Sequence, residues 1–238
     1  DPRFTSSEMP LYYNTIEAQV EAQAALMPAY TAVFEEKFNQ KAIGVRSILP
    51  LNLGSAKKPV KVMADWDGLL TQTISPAVTA IIENFGAVGA PASPIDVYEL
   101  LQKGTVDATI QSLGKFVEAK LWEVCDNLTN AMFISASAAT TINLDMWNKM
   151  PKDIQDIILE EAAIAEEAVK QISIDTYKSY LVTLGENMEV YNLPKAEREK
   201  WQTALKPVVD GMLASMGDFA AEVIRTADEA NAKYPYPY

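Results

Sequence analysis

Apolar residues recur at helical spacing through residues 14–40, where they mark one face of a predicted helix. The stretch NTIE at 14–17 has the spacing of a capping box, with Asn14 as the cap and Glu17 reaching back. Pro28 lies inside this segment and predicts a kink. A strand over 44–51 and a loop over 52–59 follow.

A second helical pattern opens at Pro151 and continues to Gly185, the predicted C-cap. At 1.5 Å per residue this helix is roughly 50 Å long, whereas a lobe of about 100 residues has a radius of gyration of about 13 Å. We expect it to bridge two lobes, pair with another chain or project into solvent. One face of this helix carries an apolar stripe. A coiled coil is disfavoured because the middle of this stripe is rich in alanine. The stripe consists of Ile154, Ile158, Ala162, Ala165, Val169 and Ile172.

Residues 60–131 alternate between strand and helix patterns. A strand over 69–74 precedes a helix that has Ser75 as its cap and Gly86 as its stop. After a short strand, a second helix with Asp96 as its cap ends at Gly104, and a strand over 105–110 follows. This order predicts parallel strand pairing with crossover helices. A further helix is expected over 116–127.

The remaining elements are shorter. The uncharged run 132–143 is typical of a buried strand, and 188–194 predicts a short returning strand. Helices are expected near 195–205, 207–217 and 218–233, and the final YPYPY as an extended tail on the surface.

The formal charge of −12 and the pI of about 4.5 disfavour a nucleic-acid binder, which needs clustered cations, and docking on an anionic membrane. No run of 18 apolar residues is present, so no membrane span is expected. The chain starts at Asp1 without a basic-then-apolar leader, which suggests a mature or truncated chain.

The absence of histidine removes Ser-His-Asp and Cys-His catalysis and histidine-bound zinc. The single cysteine, Cys125, can form no internal disulfide; we expect it to pack among apolar neighbours rather than act as a reactive thiol. Acid–base pairs such as Asp65 with Asp67 or Glu160 with Glu161 are conceivable, but adjacent carboxylates on a helix do not face one another. We therefore expect neither an enzyme nor a metal or cofactor site.

Three stretches follow one another in the chain: ADWDGLL at 64–70, DVYELLQKGTVD at 96–107 and INLDMWNKMPKDIQ at 142–155. Their order resembles the solute-binding proteins of tripartite ATP-independent periplasmic (TRAP) transporters. The segment at 64–111 resembles the family pattern DLKGLKIR, a helix ending in LGA, a proline-containing loop and EVYxALQxGxVDG. The stretch at 142–155 resembles the family's NxxxWxxLPxDxQ, and 6–13 resembles the segment before its kinked helix. The matching residues of the first segment are Asp65, Gly68, Leu69, Gly86, Ala87, Pro91, Asp96, Val97, Tyr98, Leu101, Gln102, Gly104, Val106 and Asp107.

The resemblance implies an α/β fold, a two-lobed periplasmic-binding-protein clamp with a long helix spanning both lobes. Lobe one would hold residues 1–49 and 135–176, and lobe two residues 50–134 and 177–238. In the family a strand–helix–strand–helix portion precedes the region matching 6–13, so the N-terminal part of lobe one is apparently absent here.

The resemblance also implies a binding site. The position matching Gln72 is an arginine that grips a ligand carboxylate in the family, the one matching Gln111 is typically an asparagine, and an aromatic corresponds to Pro94. The implied ligand is a neutral polar compound, or an acid held by another cation such as Arg46 or Lys57. Gln72 and Gln111 could instead only satisfy strand-end backbone, and Pro94 could be a plain turn. The candidate ligand-binding residues are Gln72, Gln111, Thr71, Thr73, Pro94 and Asn52.

The function implied is a periplasmic solute receptor that captures a small organic solute, a carboxylic acid or a neutral polar compound, and delivers it to TRAP membrane subunits. The alternative is a non-transport interaction or sensor protein that uses the same clamp, including a helix-mediated dimer.

Overall fold

The computed structural model describes all 238 residues and contains one six-stranded sheet with helices packed against it. The strand order is β3-β2-β4-β1-β5-β6. The α/β class expected from the sequence is therefore confirmed. The elements are α1 (Ile16–Ala25), α2 (Met27–Phe38), β1 (Gln40–Ser55), β2 (Leu70–Thr73), α3 (Pro76–Glu83), β3 (Val88–Pro91), α4 (Val97–Gln102), β4 (Ala108–Ser112), α5 (Leu113–Glu118), β5 (Asn127–Asn143), α6 (Leu144–Lys149), α7 (Lys152–Gly185), β6 (Glu189–Asn192), α8 (Lys195–Met216) and α9 (Phe219–Lys233).

Two unusually long antiparallel strands form the middle of the sheet. β1 has 16 residues and β5 has 17, and they pair from end to end. The pairing register shifts between Ile48 and Leu51 and again between Leu51 and Leu53. Extra residues at such points bend a strand and increase its twist. The two long strands are therefore irregular near their middle.

The parallel portion of the sheet follows the sequence-based expectation. β2 pairs in parallel with both β3 and β4. The Ser75 hydroxyl accepts a hydrogen bond from the Val78 N–H and so caps α3, as predicted. Gly104 has φ +64, which explains the abrupt end of the helical pattern before β4. Asp96 precedes α4, but its side chain makes no capping hydrogen bond.

The first helix differs from the expectation in its cap. Thr15, not Asn14, accepts the hydrogen bond from the Ala18 N–H, at 3.1 Å. The backbone N–H of Asn14 instead donates to the side chain of Asn231 on α9. The helix also divides at Leu26, so the break expected from Pro28 is present just before that proline.

The long helix α7 has 34 residues and begins after Pro151, as predicted. Its buried side chains, Ser173, Tyr177 and Leu184, all belong to its C-terminal half. The predicted stripe is half-buried at Ile158, Ala162 and Val169 and exposed at its other positions. The N-terminal half of α7 consequently covers the sheet only loosely.

Several of the expected boundaries were wrong. Residues 52–55 belong to β1 rather than to a loop, and the helix expected over 116–127 ends at Glu118. Pro207 does not divide the helices near 195–217, because α8 continues through it. In the predicted buried strand 132–143, burial ends at Ser135.

An aromatic cluster fills the core beneath one face of the sheet. The ring of Trp66 lies 5.2 to 5.5 Å from the rings of Phe85, Phe133 and Trp201. These residues come from four separate parts of the chain and belong to the largest buried cluster. The cluster holds α8 against the sheet. None of the helices combines the length and the apolar composition that crossing a bilayer requires.

Candidate functional site

Gln72 lies on β2, fully buried, and all of its hydrogen-bonding groups have partners within the protein. Its Nε2 donates to the backbone oxygens of Ala92, at 2.7 Å, and Thr73, at 3.3 Å. Its Oε1 accepts from Thr109 Oγ1 at 2.6 Å and from Gln111 Nε2 at 2.9 Å. The structure thus brings the two predicted glutamines into direct contact.

Side-chain amides continue across the sheet in what we call the amide row: Gln72 on β2, Gln111 on β4, Asn52 on β1, Asn130 on β5 and Asn192 on β6. Asn52 pairs with Gln111 in the sheet register, and Asn130 pairs with Asn192. Asn130 Nδ2 donates to Asn192 Oδ1 at 2.8 Å. Paired residues on neighbouring strands point to the same face. All but Asn192 are buried.

Asn52 stabilises the irregular point of the long strands. Its Oδ1 accepts from the backbone N–H groups of Ala131 and Met132, at 3.0 and 2.9 Å. Met132 has φ +49, a conformation that side chains other than glycine rarely adopt. Asn52 therefore supplies the acceptor that two backbone donors of the distorted strand require.

The two threonines beside Gln72 face away from it because side chains alternate along a strand. Both are buried; Thr71 Oγ1 donates to the Leu69 oxygen, and Thr73 Oγ1 bonds Thr79 Oγ1 on α3 at 2.7 Å. Pro94 lies in an exposed turn before α4.

Neither predicted substitute cation joins the glutamines. Arg46 is exposed on β1 and lines a groove beneath α7. Lys57 Nζ pairs with Asp107 Oδ2 at 3.3 Å, and the same carboxylate oxygen accepts from the Leu70 N–H. The hydrogen-bond partners of Gln72 are all uncharged.

Arg198 on α8 is a buried cation that the sequence analysis missed. Its guanidinium donates to the backbone oxygens of Ala131, Leu11 and Tyr13, at 2.6, 2.9 and 2.8 Å. No carboxylate pairs with it, and burial lowers the pKa of Arg198 to about 10. Leu11 also has a positive φ, so Arg198 links two distorted backbone segments. A lone arginine in a helical pattern carries no sequence signal for such a contact.

Tyr177, on α7, reaches the far end of the amide row. Its Oη donates to Asn130 Oδ1 at 2.6 Å. Burial raises the pKa of Tyr177 above its ordinary value. The hydroxyl therefore stays protonated at neutral pH and acts as a donor.

Cys125 packs in the core, as expected. Its thiol is buried among apolar side chains, and burial raises the pKa of Cys125 to about 12. Such a thiol is a poor nucleophile because little thiolate forms.

The sequence profile of the bacterial extracellular solute-binding proteins, family 7, matches residues 1–216. The chain belongs to this family. Family 7 proteins are solute-binding receptors rather than enzymes.

Two curated relatives show the extent of this similarity. A solute-binding protein of Verminephrobacter eiseniae is 26% identical over 178 residues, which are 74% of this chain and 52% of that protein. The C4-dicarboxylate-binding periplasmic protein DctP of Rhodobacter capsulatus is 26% identical over 182 residues, 75% of this chain and 54% of that protein. The family 7 chain described here thus spans about half the length of the curated relatives it matches.

A solved structure confirms the fold. DctP7 of Bordetella pertussis, an extracytoplasmic solute receptor binding pyroglutamic acid, superposes with a TM-score of 0.84 at 18% identity. The match covers 96% of this chain and 75% of DctP7. The α/β fold class of the solute-binding clamp, with its long helix, is therefore confirmed for this family 7 member.

Proposed function

We propose that this protein is a periplasmic receptor that captures a small polar organic solute between two lobes and delivers it to the membrane subunits of a TRAP transporter. The family match over residues 1–216 carries this proposal. The receptor performs no chemistry on its solute, which fits a chain without histidine.

The irregular centre of β1 and β5 supports the proposed lobe boundaries. These boundaries fall at 49/50 and 134/135, and two of the three register shifts, between Ile48 and Leu51 and between Leu51 and Leu53, lie at or beside the first boundary. Met132, with its positive φ, lies two residues before the second boundary. Clamp proteins move about a few residues that absorb changes in φ and ψ. We place the hinge at this irregularity.

The amide pair supports a neutral polar solute. Gln72 and Gln111 offer both donors and acceptors but no charge. Removing an arginine from a carboxylate site removes the bidentate contact that makes such sites selective. With Arg46 and Lys57 both elsewhere, an acid would need a cation from outside the amide row.

The hydrogen bonds of Gln72 indicate how a solute would enter. Because all four bonds of its amide are made within the protein, the solute must replace one of them. Two side chains donate to Gln72, and of these Gln111 is 4% exposed whereas Thr109 is completely buried, so the bond from Gln111 is the one to exchange. We assign Gln111 as the group that turns from Gln72 to the solute.

Titration calorimetry with neutral polyols and amides, and separately with carboxylic acids, tests this assignment in three variants. Gln72→Ala should weaken neutral-solute binding, and Gln72→Arg should shift preference toward acids. Gln171→Ala is the matched control, because Gln171 is exposed on α7 and bonds only Asp175. Equal binding by Gln72→Ala and Gln171→Ala would remove Gln72 from the site.

One observation favours the alternative of an interaction or sensor protein. Ile157, Ile164 and Ile172 on α7 are 54%, 59% and 60% exposed and recur at spacings of seven and eight residues, which places them along one side of the helix. A dimer through α7 would cover them. Sedimentation analysis decides: a stable dimer that binds no solute favours the alternative, and a solute-binding monomer favours the receptor.

A further inference from the structure

The outer edge of β5 is free of any neighbouring strand in the proposed lobe one. β6 pairs with β5 only over Asn127–Asn130, and the isolated bridge from Pro10 reaches Ile134. Over residues 137–143, β5 pairs with β1 on one side and with no strand on the other. At about 3.3 Å per residue, this free edge is about 23 Å long. It therefore has the length of a complete strand.

Alternate residues of this edge direct their backbone groups outward. The Phe133 carbonyl accepts a hydrogen bond from the Leu11 N–H on that side, at 2.9 Å. The N–H and C=O groups of one residue point the same way, and the direction alternates along the strand. Since the extra residues of the register shifts beyond this point lie on β1, the alternation continues along β5. Ser137, Ala139 and Thr141 therefore present their backbone groups to the outside.

The edge lacks the features that normally protect a free strand. Residues 137–143 have the sequence SAATTIN, with no charged residue and no proline. The first half of β1 is also unpaired on its other side, because β4 reaches only Leu51–Ser55, but it carries Lys41 and Arg46. Charges and prolines on edge strands oppose further pairing. Of the two free edges, that of β5 is therefore the more receptive to an added strand.

An apolar pocket of about 190 Å³ lies beside this edge. Ser137 and Ala139, two residues apart on β5, line it together with Val45, the register partner of Ala139. The rings of Phe4 and Phe34, whose centroids lie 4.8 Å apart, add aromatic walls. No charged side chain lines the pocket, and all of its lining residues belong to the proposed lobe one. The pocket is therefore not part of the cleft between the lobes.

Hydrogen bonds hold the wall that contains Phe4. This wall is a short 3-10 helix, Pro2–Glu8. The hydroxyls of Ser6 and Tyr30 are hydrogen-bonded at 2.6 Å, and Ser135 Oγ donates to the Ser7 backbone oxygen, also at 2.6 Å. The pocket is thus formed before anything enters it.

We propose that the free edge of β5 binds an extended peptide strand from outside residues 1–238, with one large apolar side chain of that strand in the pocket. In strand addition, main-chain hydrogen bonds give affinity, and pockets for alternate side chains give selectivity. A residue of the added strand opposite Ser137 or Ala139 has its Cβ about 5 Å away, on the same face. A cavity of about 150 Å³ binds benzene, so the pocket of about 190 Å³ admits a phenylalanine ring.

The same strand of a second copy fits this site less well. Its edge would present Ser137, Ala139 and Thr141, and their small side chains would leave the pocket empty. The occupant is therefore a different strand, uncharged where it meets β5 and carrying a large apolar residue. The site does not depend on the proposed transport function.

Calorimetry on the full chain with two capped peptides, KTVTFTVTK and KTVTATVTK, tests the pocket. The phenylalanine peptide should bind, and the alanine peptide should bind about tenfold or more weakly, because it leaves the pocket unfilled. Equal binding of the two peptides, or no binding of the phenylalanine peptide, would overturn the proposal.

A pair of variants at Thr141 tests the edge itself. Thr141→Pro removes an outward N–H without removing a bond to β1, so it should weaken binding of KTVTFTVTK by about fivefold or more. Thr141→Val is the matched control, because it keeps the N–H, and it should bind the peptide like the natural sequence. Thr141 does not line the pocket, and thermal melting verifies that both variants fold. Equal binding by the two variants would contradict the assignment.

Two further results separate this site from other occupants. Gln72→Ala should leave peptide binding unchanged even if it abolishes solute binding; a loss of peptide binding would place the peptide in the cleft and overturn the proposal. Sedimentation without peptide should give a monomer. A dimer that the peptide converts to monomers would show that a second copy occupies the edge, which would also overturn it.

Discussion

Asn52 and Met132 are joined by a hydrogen bond of 2.9 Å, from the backbone N–H of Met132 to the side-chain oxygen of Asn52. The same oxygen accepts from Ala131 at 3.0 Å. Regular pairing between β1 and β5 is interrupted here, so the backbone donors on β5 depend on a side chain. A single asparagine thus fixes the shape of the sheet at the proposed hinge.

Replacing Asn52 tests this dependence. Asn52→Ala leaves two buried N–H groups without an acceptor, which should lower the free energy of unfolding by about 2–4 kcal/mol. Urea unfolding measures the change. Asn187→Ala serves as the control, because Asn187 is exposed and bonds only the Thr183 oxygen. Similar decreases in the free energy of unfolding of the two variants would show that Asn52 contributes no more to stability than an exposed asparagine.

Arg198 should be irreplaceable by lysine. An ammonium group cannot reach the three carbonyl oxygens that the planar guanidinium bridges, so Arg198→Lys should destabilise the protein by about 3 kcal/mol. Arg225→Lys provides the comparison, since Arg225 is exposed and paired with Glu222 and Glu229. Arg225→Lys should lower the free energy of unfolding by less than about 1 kcal/mol. Equal denaturant midpoints for both variants would contradict the proposed role of Arg198.

Two glycines should respond oppositely to alanine. A Cβ at Gly54 would lie 2.4 Å from the Phe116 ring, so Gly54→Ala should lower the free energy of unfolding by about 1–3 kcal/mol. A Cβ at Gly211 meets nothing within 4 Å, and Gly211 lies inside α8. Because alanine favours the helix over glycine, Gly211→Ala should raise the free energy of unfolding by about 0.5–1 kcal/mol. Thermal melting checks both signs. A more stable Gly54→Ala would mean that Phe116 can move aside without loss.

Stability should fall in mild alkali because of Cys125. Its pKa is raised by burial from 9.0 to about 12, so the folded state retains the proton that the unfolded state loses. The stabilisation is complete below pH 9.0 and is lost as the pH rises toward 12. Between pH 9 and pH 10 Cys125 alone should lower the free energy of unfolding by about 1 kcal/mol.

Cys125→Ala isolates this effect. Between pH 9 and pH 10 the variant should lose about 1 kcal/mol less of its free energy of unfolding than the natural sequence loses, whatever its absolute stability. The remaining fall, which steepens above pH 10, reflects the buried tyrosines Tyr12, Tyr13, Tyr177 and Tyr236, because burial raises the pKa of each above the ordinary value of 10.0. An unchanged slope in Cys125→Ala would show that other groups titrate there.

Local signals predicted the parallel part of the sheet well. The Ser75 cap, Pro76 at the start of α3 and the positive φ of Gly104 each follow from the chemistry of one residue and its neighbours. The same rules failed by one position at Asn14, because Asn and Thr are both good caps and only the contact with Asn231 decides between them. The meeting of Gln72 and Gln111 came from the resemblance, and their ligand-binding role stays a prediction.

The remaining features depend on distant parts of the chain. Arg198 gains its role from Leu11, Tyr13 and Ala131, which no periodicity links to α8. The cavity beside Asn130 is lined by four segments that are far apart in the sequence, 14–17, 130–132, 177–181 and 233–238. The exposure of the N-terminal half of α7 was also not predicted, because periodicity marks an apolar face without showing whether anything covers it.

The continuity of β1 and β5 has a mechanical consequence. Both strands run without interruption through the two proposed lobes, and β1 is also hydrogen-bonded to β4 on its other edge. In the proposed receptor, we expect lobe closure to bend these two strands elastically rather than to swing the lobes on a flexible linker. The bent sheet would store elastic energy and return it when the lobes reopen, so the stiffness of the sheet would set how readily the solute is released.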